Sequence, residues 1–132
     1  MEYKDLIREA LRYRENAYVP YSNFKVGAAV LMDDGKIYGG CNVENASYGA
    51  TNCAERTAIF RAIAEGNKKL KAIAVVGDLS THTSPCGICR QVISEFADKD
   101  TDIILIKNED EYLVKKLEDI LPGAFTKEDL IK

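Results

Sequence analysis

Two short motifs constrain this chain more than any other feature: Asn52-Cys53-Ala54-Glu55-Arg56 and, further on, Ser84-Pro85-Cys86-Gly87-Ile88-Cys89. Together they offer three thiols and one carboxylate. Any fold that makes them one site must carry Cys53 to Cys86 and Cys89. Three is the informative number. A structural zinc site closes all four tetrahedral positions with protein, whereas a catalytic site keeps three protein ligands and leaves the last to water or substrate. Glu55, two residues from Cys53, is chemically unsuited to a thiolate-rich structural cage.

The spacing allows convergence. Cys86 and Cys89 are three apart, so at a helix start their Cβ atoms lie ~5 to 6 Å from one another, while two sulfurs on a tetrahedral zinc stand roughly 3.8 Å apart. Ser84 as N-cap with Pro85 at the first helical position is the expected opening of that helix, Cys86 to Ala97. A second helix is expected over Cys53 to Glu65, with Asn52 as its N-cap candidate. Residues two apart do not face each other inside a helix. Cys53 and Glu55 can therefore serve one site only from an opening turn, with the metal beyond its end.

A chain of 132 residues with 46% hydrophobic residues can bury a core without staples, and one domain spanning 1–132 is expected. The formal net charge of -3 gives no basic footprint for a nucleic-acid backbone; Lys68, Lys69, Lys71, Lys115 and Lys116 read as solvated faces. No apolar run is long enough to span a bilayer and no secretory signal follows Met1. The expected compartment is the reducing cytoplasm, where cysteines at these spacings read as metal ligands before disulfides.

Periodicity supplies the fold class. Leu6, Ala10, Tyr13 and Ala17 mark one face of a helix from Glu2 to Tyr18, ended by Pro20. Phe24, Val26, Ala28, Val30 and Met32 alternate as a strand, Asp34-Gly35 turns the chain, and Lys36 to Val43 returns. Gly39 and Gly40 allow close backbone approach there. Lys71 to Gly77 and Asp102 to Ile106 are apolar runs of the kind buried on both faces. Glu111 to Lys115 reads as a weaker strand and Leu117 to Leu121 as a helical turn. Strands alternating with helices predict an α/β fold, a three-layer α/β/α sandwich around a five-stranded mixed sheet. Each cysteine motif then opens a crossover helix near strand carboxyl ends, where open α/β sheets bind ligands.

With these residues in view, a resemblance emerges. Cys53-Ala54-Glu55 and Pro85-Cys86-Gly87-Ile88-Cys89 resemble the zinc-dependent cytidine and deoxycytidylate deaminase superfamily. Pro20-Tyr21-Ser22 with Phe24, Gly40 to Asn45, Cys89-Arg90-Gln91 and Leu121-Pro122-Gly123-Ala124-Phe125 extend the likeness almost end to end. They point to its small homotetrameric three-cysteine type.

That resemblance implies hydrolytic deamination of cytidine and 2′-deoxycytidine to uridine and 2′-deoxyuridine with release of ammonia, in pyrimidine salvage. It implies one zinc per subunit on Cys53, Cys86 and Cys89, and Glu55 as proton shuttle. Arg56 would hydrogen-bond ligand thiolates and offset their excess negative charge. Phe24 would pack on the base, Asn42 and Glu44 would hold the ribose 3′-hydroxyl, the Ala54 N–H would hold the base carbonyl, and the Ser84 carbonyl would receive the amine. Ala46, Tyr48 and Phe125 would reach a neighbouring subunit's site, making a nucleoside the small-molecule partner of a homotetramer, with neither nucleic acid nor membrane. Other readings stay open at this point. Glu55 and Asn52 have capping-box spacing. His82 or Cys41 could close a four-ligand structural zinc module without activity. A deaminase of a related aminopyrimidine nucleoside, such as the antibiotic blasticidin S, shares the cysteine motifs and is a further reading.

Overall fold

The structure, a computed structural model, describes residues 3–130. Its elements run α1 (Lys4–Arg14), β1 (Gly27–Met32), β2 (Ile37–Cys41), α2 (Ala54–Ala64), β3 (Leu70–Val76), α3 (Gly87–Phe96), β4 (Asp102–Ile106), β5 (Tyr112–Lys116), α4 (Leu117–Ile120) and α5 (Lys127–Leu130), with a single 3-10 turn at Tyr48–Ala50. The five strands form one mixed sheet in the order β2-β1-β3-β4-β5. β3 and β4 pair in parallel, and the remaining neighbours are antiparallel. The expected α/β class and mixed five-stranded sheet are what the chain forms.

Alternation along β1 sorts the layers. Ala28, Val30 and Met32 join Ala54, Ala58, Ile59 and Ala62 of α2 and Ile93 of α3 on one face. Ala29 and Leu31 join Leu6, Ile7 and Ala10 of α1 on the other. Each fully buried isoleucine contributes about 1.5–3 kcal/mol relative to exposure, so these two clusters hold the layers together. The sequence pattern suggested one buried face for β1, but all six of its residues are buried. It is a central strand, covered by α1 as well as α2.

β2 is sandwiched closely, as its glycines foretold. A Cβ on Gly39 would stand 2.2 Å from the Tyr13 ring of α1, and one on Gly40 would stand 2.5 Å from the Ala58 backbone nitrogen of α2. The slim Ala54, Ala58, Ala62 face of α2 therefore lies directly over the strand. The Asp34-Gly35 turn also forms, with Gly35 at φ 87°.

Several boundaries differ from expectation. α1 ends at Arg14, ahead of Pro20, because Tyr18 leaves to bridge Val43; the expected start at Glu2 lies outside the described residues. The two helices of the cysteine motifs begin later than expected. Cys53 and Cys86 are themselves the N-caps, and neither makes a side-chain cap hydrogen bond. Asn52 instead donates to the Thr57 hydroxyl at 3.0 Å, and Ser84 accepts from Arg90. α5 had no counterpart in the periodicity. Among the described residues no helix is long and apolar enough to cross a membrane.

Candidate active site

The site grows from the two helix starts. Cys53 (φ -74°, ψ 155°) and Cys86 (φ -70°, ψ 168°) are extended residues immediately before α2 and α3, so both helices direct their N-terminal N–H groups toward the same place. Cys89 follows in the first turn of α3 and is buried. The Cys53 and Cys86 sulfurs are 3.7 Å apart, against roughly 3.8 Å for two thiolates sharing a tetrahedral zinc. All three sulfurs lie within 4.8 Å of one another. A soft three-sulfur set at this spacing fits zinc. No other His, Cys, Asp or Glu ligand atom among the described residues joins the group, so neither His82 nor Cys41 closes it. Glu111, near His82, has its carboxylate held below its usual range chiefly by the hydrogen bond from Asn108 and then by Lys107.

Arg56 reaches back one turn of α2, and its Nη2 donates to the Cys53 sulfur at 3.3 Å. Its Nε is buried and has no hydrogen-bond partner among the described residues. As free thiols Cys53 and Cys89 share a proton unequally. Cys53 is drawn down to about 5, chiefly by a hydrogen bond from Cys89 and further by Arg56. Cys89, the donor in that bond, is held protonated. Coordination to zinc deprotonates a thiol outright.

Glu55 is only 4% exposed, one residue into α2. Burial pushes its carboxyl up to about 7, and the neighbouring Cys53 charge adds to the rise against the pull of Arg56. A proton-transfer group is most effective when its pKa is near the working pH. Among the described residues no hydrogen bond links Glu55 to Asn52, so the capping-box alternative does not form.

The strand end after β2 is stitched to this turn. Val43 and Asn52 exchange backbone hydrogen bonds at 2.9 Å in each direction, which sets Asn42 and Glu44 next to the residue preceding Cys53. Asn42 is buried. Its amide donates to the Phe24 carbonyl at 2.9 Å and accepts from the Val26 N–H at 2.9 Å, leaving one N–H and one lone pair for a ligand. The Glu44 carboxylate accepts from the Tyr21 and Ser22 N–H groups at 3.0 and 3.1 Å, and from the Ser22 hydroxyl. The Ser22 hydrogen bond is the main reason its pKa is lowered. Sequence reading missed this use of Ser22, although it sits in a quoted motif.

The remaining expected residues divide by exposure. Ala54 is fully buried, at the first position of α2, where a helix leaves its N–H groups unpaired. Phe24 is 46% exposed, with its ring edge close over Gly77. Ala46 and Ser84 are exposed. Tyr48 and Phe125 are 76% and 61% exposed, and the Tyr48 ring meets Tyr21 edge-on at 6.3 Å. A cleft of about 430 Å³ opens between Tyr21, Ser22, Glu44, Asn45, Tyr48 and Thr51. A larger cleft of about 690 Å³, between the end of α3 and residues 117–128, contains none of the expected site residues.

A three-sulfur metal site at two helix N-termini, with a buried carboxylate beside it, has the donor set of a catalytic zinc centre. The chain belongs to the family of the cytidine and deoxycytidylate deaminase zinc-binding region, whose pattern matches residues 1–105. It is 52% identical over 130 residues to a cytidine deaminase of Halalkalibacterium halodurans, covering 98% of each chain. It is 51% identical to one of Sporosarcina psychrophila, covering 98% of this chain and 96% of the other. The crystal structure of a cytidine deaminase from Burkholderia pseudomallei superposes with a TM-score of 0.88 at 50% identity, covering 95% of this chain and 100% of that one.

Proposed function

We infer that this protein is a zinc-dependent hydrolase that deaminates cytidine and 2′-deoxycytidine to the corresponding uridines, releasing ammonia. The observation that carries the reading is the triad of sulfurs within 4.8 Å beside a carboxylate that is 4% exposed. When bound, zinc supplies the Lewis acidity that makes hydroxide available near neutral pH. Glu55 takes the proton released as water attacks C4 and passes it to ring N3; it then takes the proton of the new C4 hydroxyl and delivers it to the departing amine, leaving the C4 carbonyl of the product. One carboxylate serves both transfers because it is regenerated between them, and burial, which raises its proton affinity, suits a group that must take up and give back a proton.

The other residues orient the substrate. The Ala54 N–H, at the start of α2, receives the base carbonyl where the helix dipole favours negative charge. The Ser84 carbonyl receives the amine and Phe24 covers the base. Asn42 and Glu44 offer their remaining acceptors and donors to the ribose 3′-hydroxyl. Arg56 and the two helix N-termini offset the excess charge of three thiolates, since zinc cancels only two of them.

The active form in this reading is a cytoplasmic homotetramer of single-domain subunits that binds neither nucleic acid nor membrane. Ala46, Tyr48 and Phe125 complete a neighbour's site. The large exposure of Tyr48 and Phe125, and of Tyr112, Leu113 and Val114 on the edge strand β5, supports an assembly. Incubation of the purified protein with cytidine tests the reaction, read as the ultraviolet change and ammonia release before and after metal removal. Sedimentation equilibrium tests the assembly: a monomeric mass with full activity would overturn it.

A further inference from the structure

Arg90 lies one residue beyond Cys89 on α3, and none of the roles above falls on it. Its guanidinium turns back along the helix and donates three hydrogen bonds. Nε reaches the Pro85 carbonyl at 2.8 Å, Nη2 the Ser84 hydroxyl at 2.8 Å, and Nη1 the Ile120 carbonyl at 2.7 Å. Its backbone N–H adds a bond to the Cys86 carbonyl at 2.9 Å. Among the described residues, the bonds to Pro85, Ser84 and Cys86 are the hydrogen bonds that hold the backbone and hydroxyls of residues 83–86. The other polar contacts there are those of the Cys86 sulfur with Cys53 and Cys89.

The segment needs an outside anchor. Pro85 is buried and has no N–H to donate, and the Cys86 side chain, at an N-cap position, makes no cap bond. Its sulfur is instead turned toward the other two.

We propose that Arg90 is a positioning residue of the metal centre: it fixes the Ser84-Pro85-Cys86 turn, and with it the direction of the Cys86 sulfur and of the Ser84 carbonyl. The proposal rests on reading the sulfur triad as a zinc site. Arginine suits this position because each of its three guanidinium nitrogens donates to a different residue from one planar fork of five donors, whereas lysine is a point charge on a flexible stem. Gln91, next in the chain, donates to the Phe125 carbonyl at 2.7 Å. Both residues therefore fasten the segment after β5 to α3, but only Arg90 also holds the cysteine turn, which lets the two effects be separated.

The test compares wild type, Arg90→Lys, Arg90→Met and Gln91→Ala, each loaded with Co²⁺. Metal affinity is measured by competition with a chromophoric chelator, and the ligand-field bands of thiolate-bound cobalt are recorded alongside. Both Arg90 variants lose about tenfold or more in affinity, as removal of an outer-shell partner does at metal sites, and their cobalt bands shift. Gln91→Ala keeps wild-type affinity and bands. Wild-type behaviour in Arg90→Met would overturn the proposal. So would an equal loss in Gln91→Ala, which would assign the effect to docking of the 120–125 segment. If Arg90→Met does not fold, Arg90→Lys decides by the same two readouts. A wild-type protein that binds cobalt through sulfur yet leaves cytidine unchanged would refute the deaminase reading, while the titration would still decide the role of Arg90.

Discussion

The sulfur of Cys53 stands 3.7 Å from that of Cys86, and each cysteine is the residue immediately before its helix begins. The pairing joins two devices. Each thiolate sits where the helix macrodipole contributes roughly half a positive charge, and each is rooted at the end of an element packed on the sheet. The sulfurs are therefore presented from the starts of two helices, α2 and α3, whose residues join one core cluster with the sheet.

Glu55→Gln keeps the side-chain volume and removes the titratable oxygen. We expect kcat to fall by at least about 10² to 10⁴-fold with zinc content unchanged, measured by steady-state turnover and metal analysis on the same preparation. Wild-type turnover would remove Glu55 from the mechanism.

Arg56→Ala removes the guanidinium that donates to the Cys53 sulfur at 3.3 Å. Zinc affinity is expected to drop about 10 to 100-fold in chelator competition, with partial recovery in Arg56→Lys. An affinity equal to wild type would reduce Arg56 to a residue pairing along its helix.

Asp102 links the layers at the far end of β4. It accepts from Lys116 Nζ at 2.6 Å and from the Tyr3 hydroxyl. Partial burial raises its pKa, but the hydrogen bonds from Lys116 and Tyr3 outweigh this and leave it lowered. A carboxyl lowered in the folded state stabilises above its unfolded value, ~3.9 for Asp, and that contribution is lost as pH falls through the folded value. Asp102→Asn should thus be less stable than wild type at pH 7, with the gap closing below about pH 4. Urea unfolding across that range measures it; a gap independent of pH would contradict the assignment.

Gly40→Val forces a side chain against α2, since even a Cβ there would lie 2.5 Å from the Ala58 nitrogen and 3.0 Å from the Ala54 oxygen. Overpacking of this kind costs about 1–3 kcal/mol, and here it also displaces the helix that carries Glu55. We expect a lower Tm and a lower kcat at temperatures where the variant is still folded. Gly49→Ala, where nothing lies within 4 Å, serves as control and should change stability by less than about 0.5 kcal/mol.

Much of this was legible in the sequence because the constraints were chemical. Three thiols at metal spacing, a carboxylate they could not use, and adjacent small residues Gly39 and Gly40 each admit few structures. Helix starts were misplaced by one or two residues for an equally physical reason. Asn and Ser outrank Cys as caps in general, but here the cap positions hold the sulfurs, and Asn52 turns to Thr57. The double burial of β1 was hidden because its small Ala28 and Ala29 look alike from either face. Nor could local pattern show that residues 21–26 fold back onto Asn42 and Glu44, since those hydrogen bonds span sixteen or more positions. Arg90 stood in plain view, but one of its three acceptors, the Ile120 carbonyl, lies thirty residues on, and the other two are in the turn just before its helix.

Since two of the three gripping sulfurs stand at the threshold of a helix seated on the sheet and the third lies in a first turn, letting go of the ion and melting the scaffold are a single event rather than successive ones. On a slow thermal ramp, release of zinc to a fluorescent indicator should track the collapse of the far-ultraviolet circular dichroism signal, and metal escaping well ahead of that collapse would mean the grip is looser than the helices that present it.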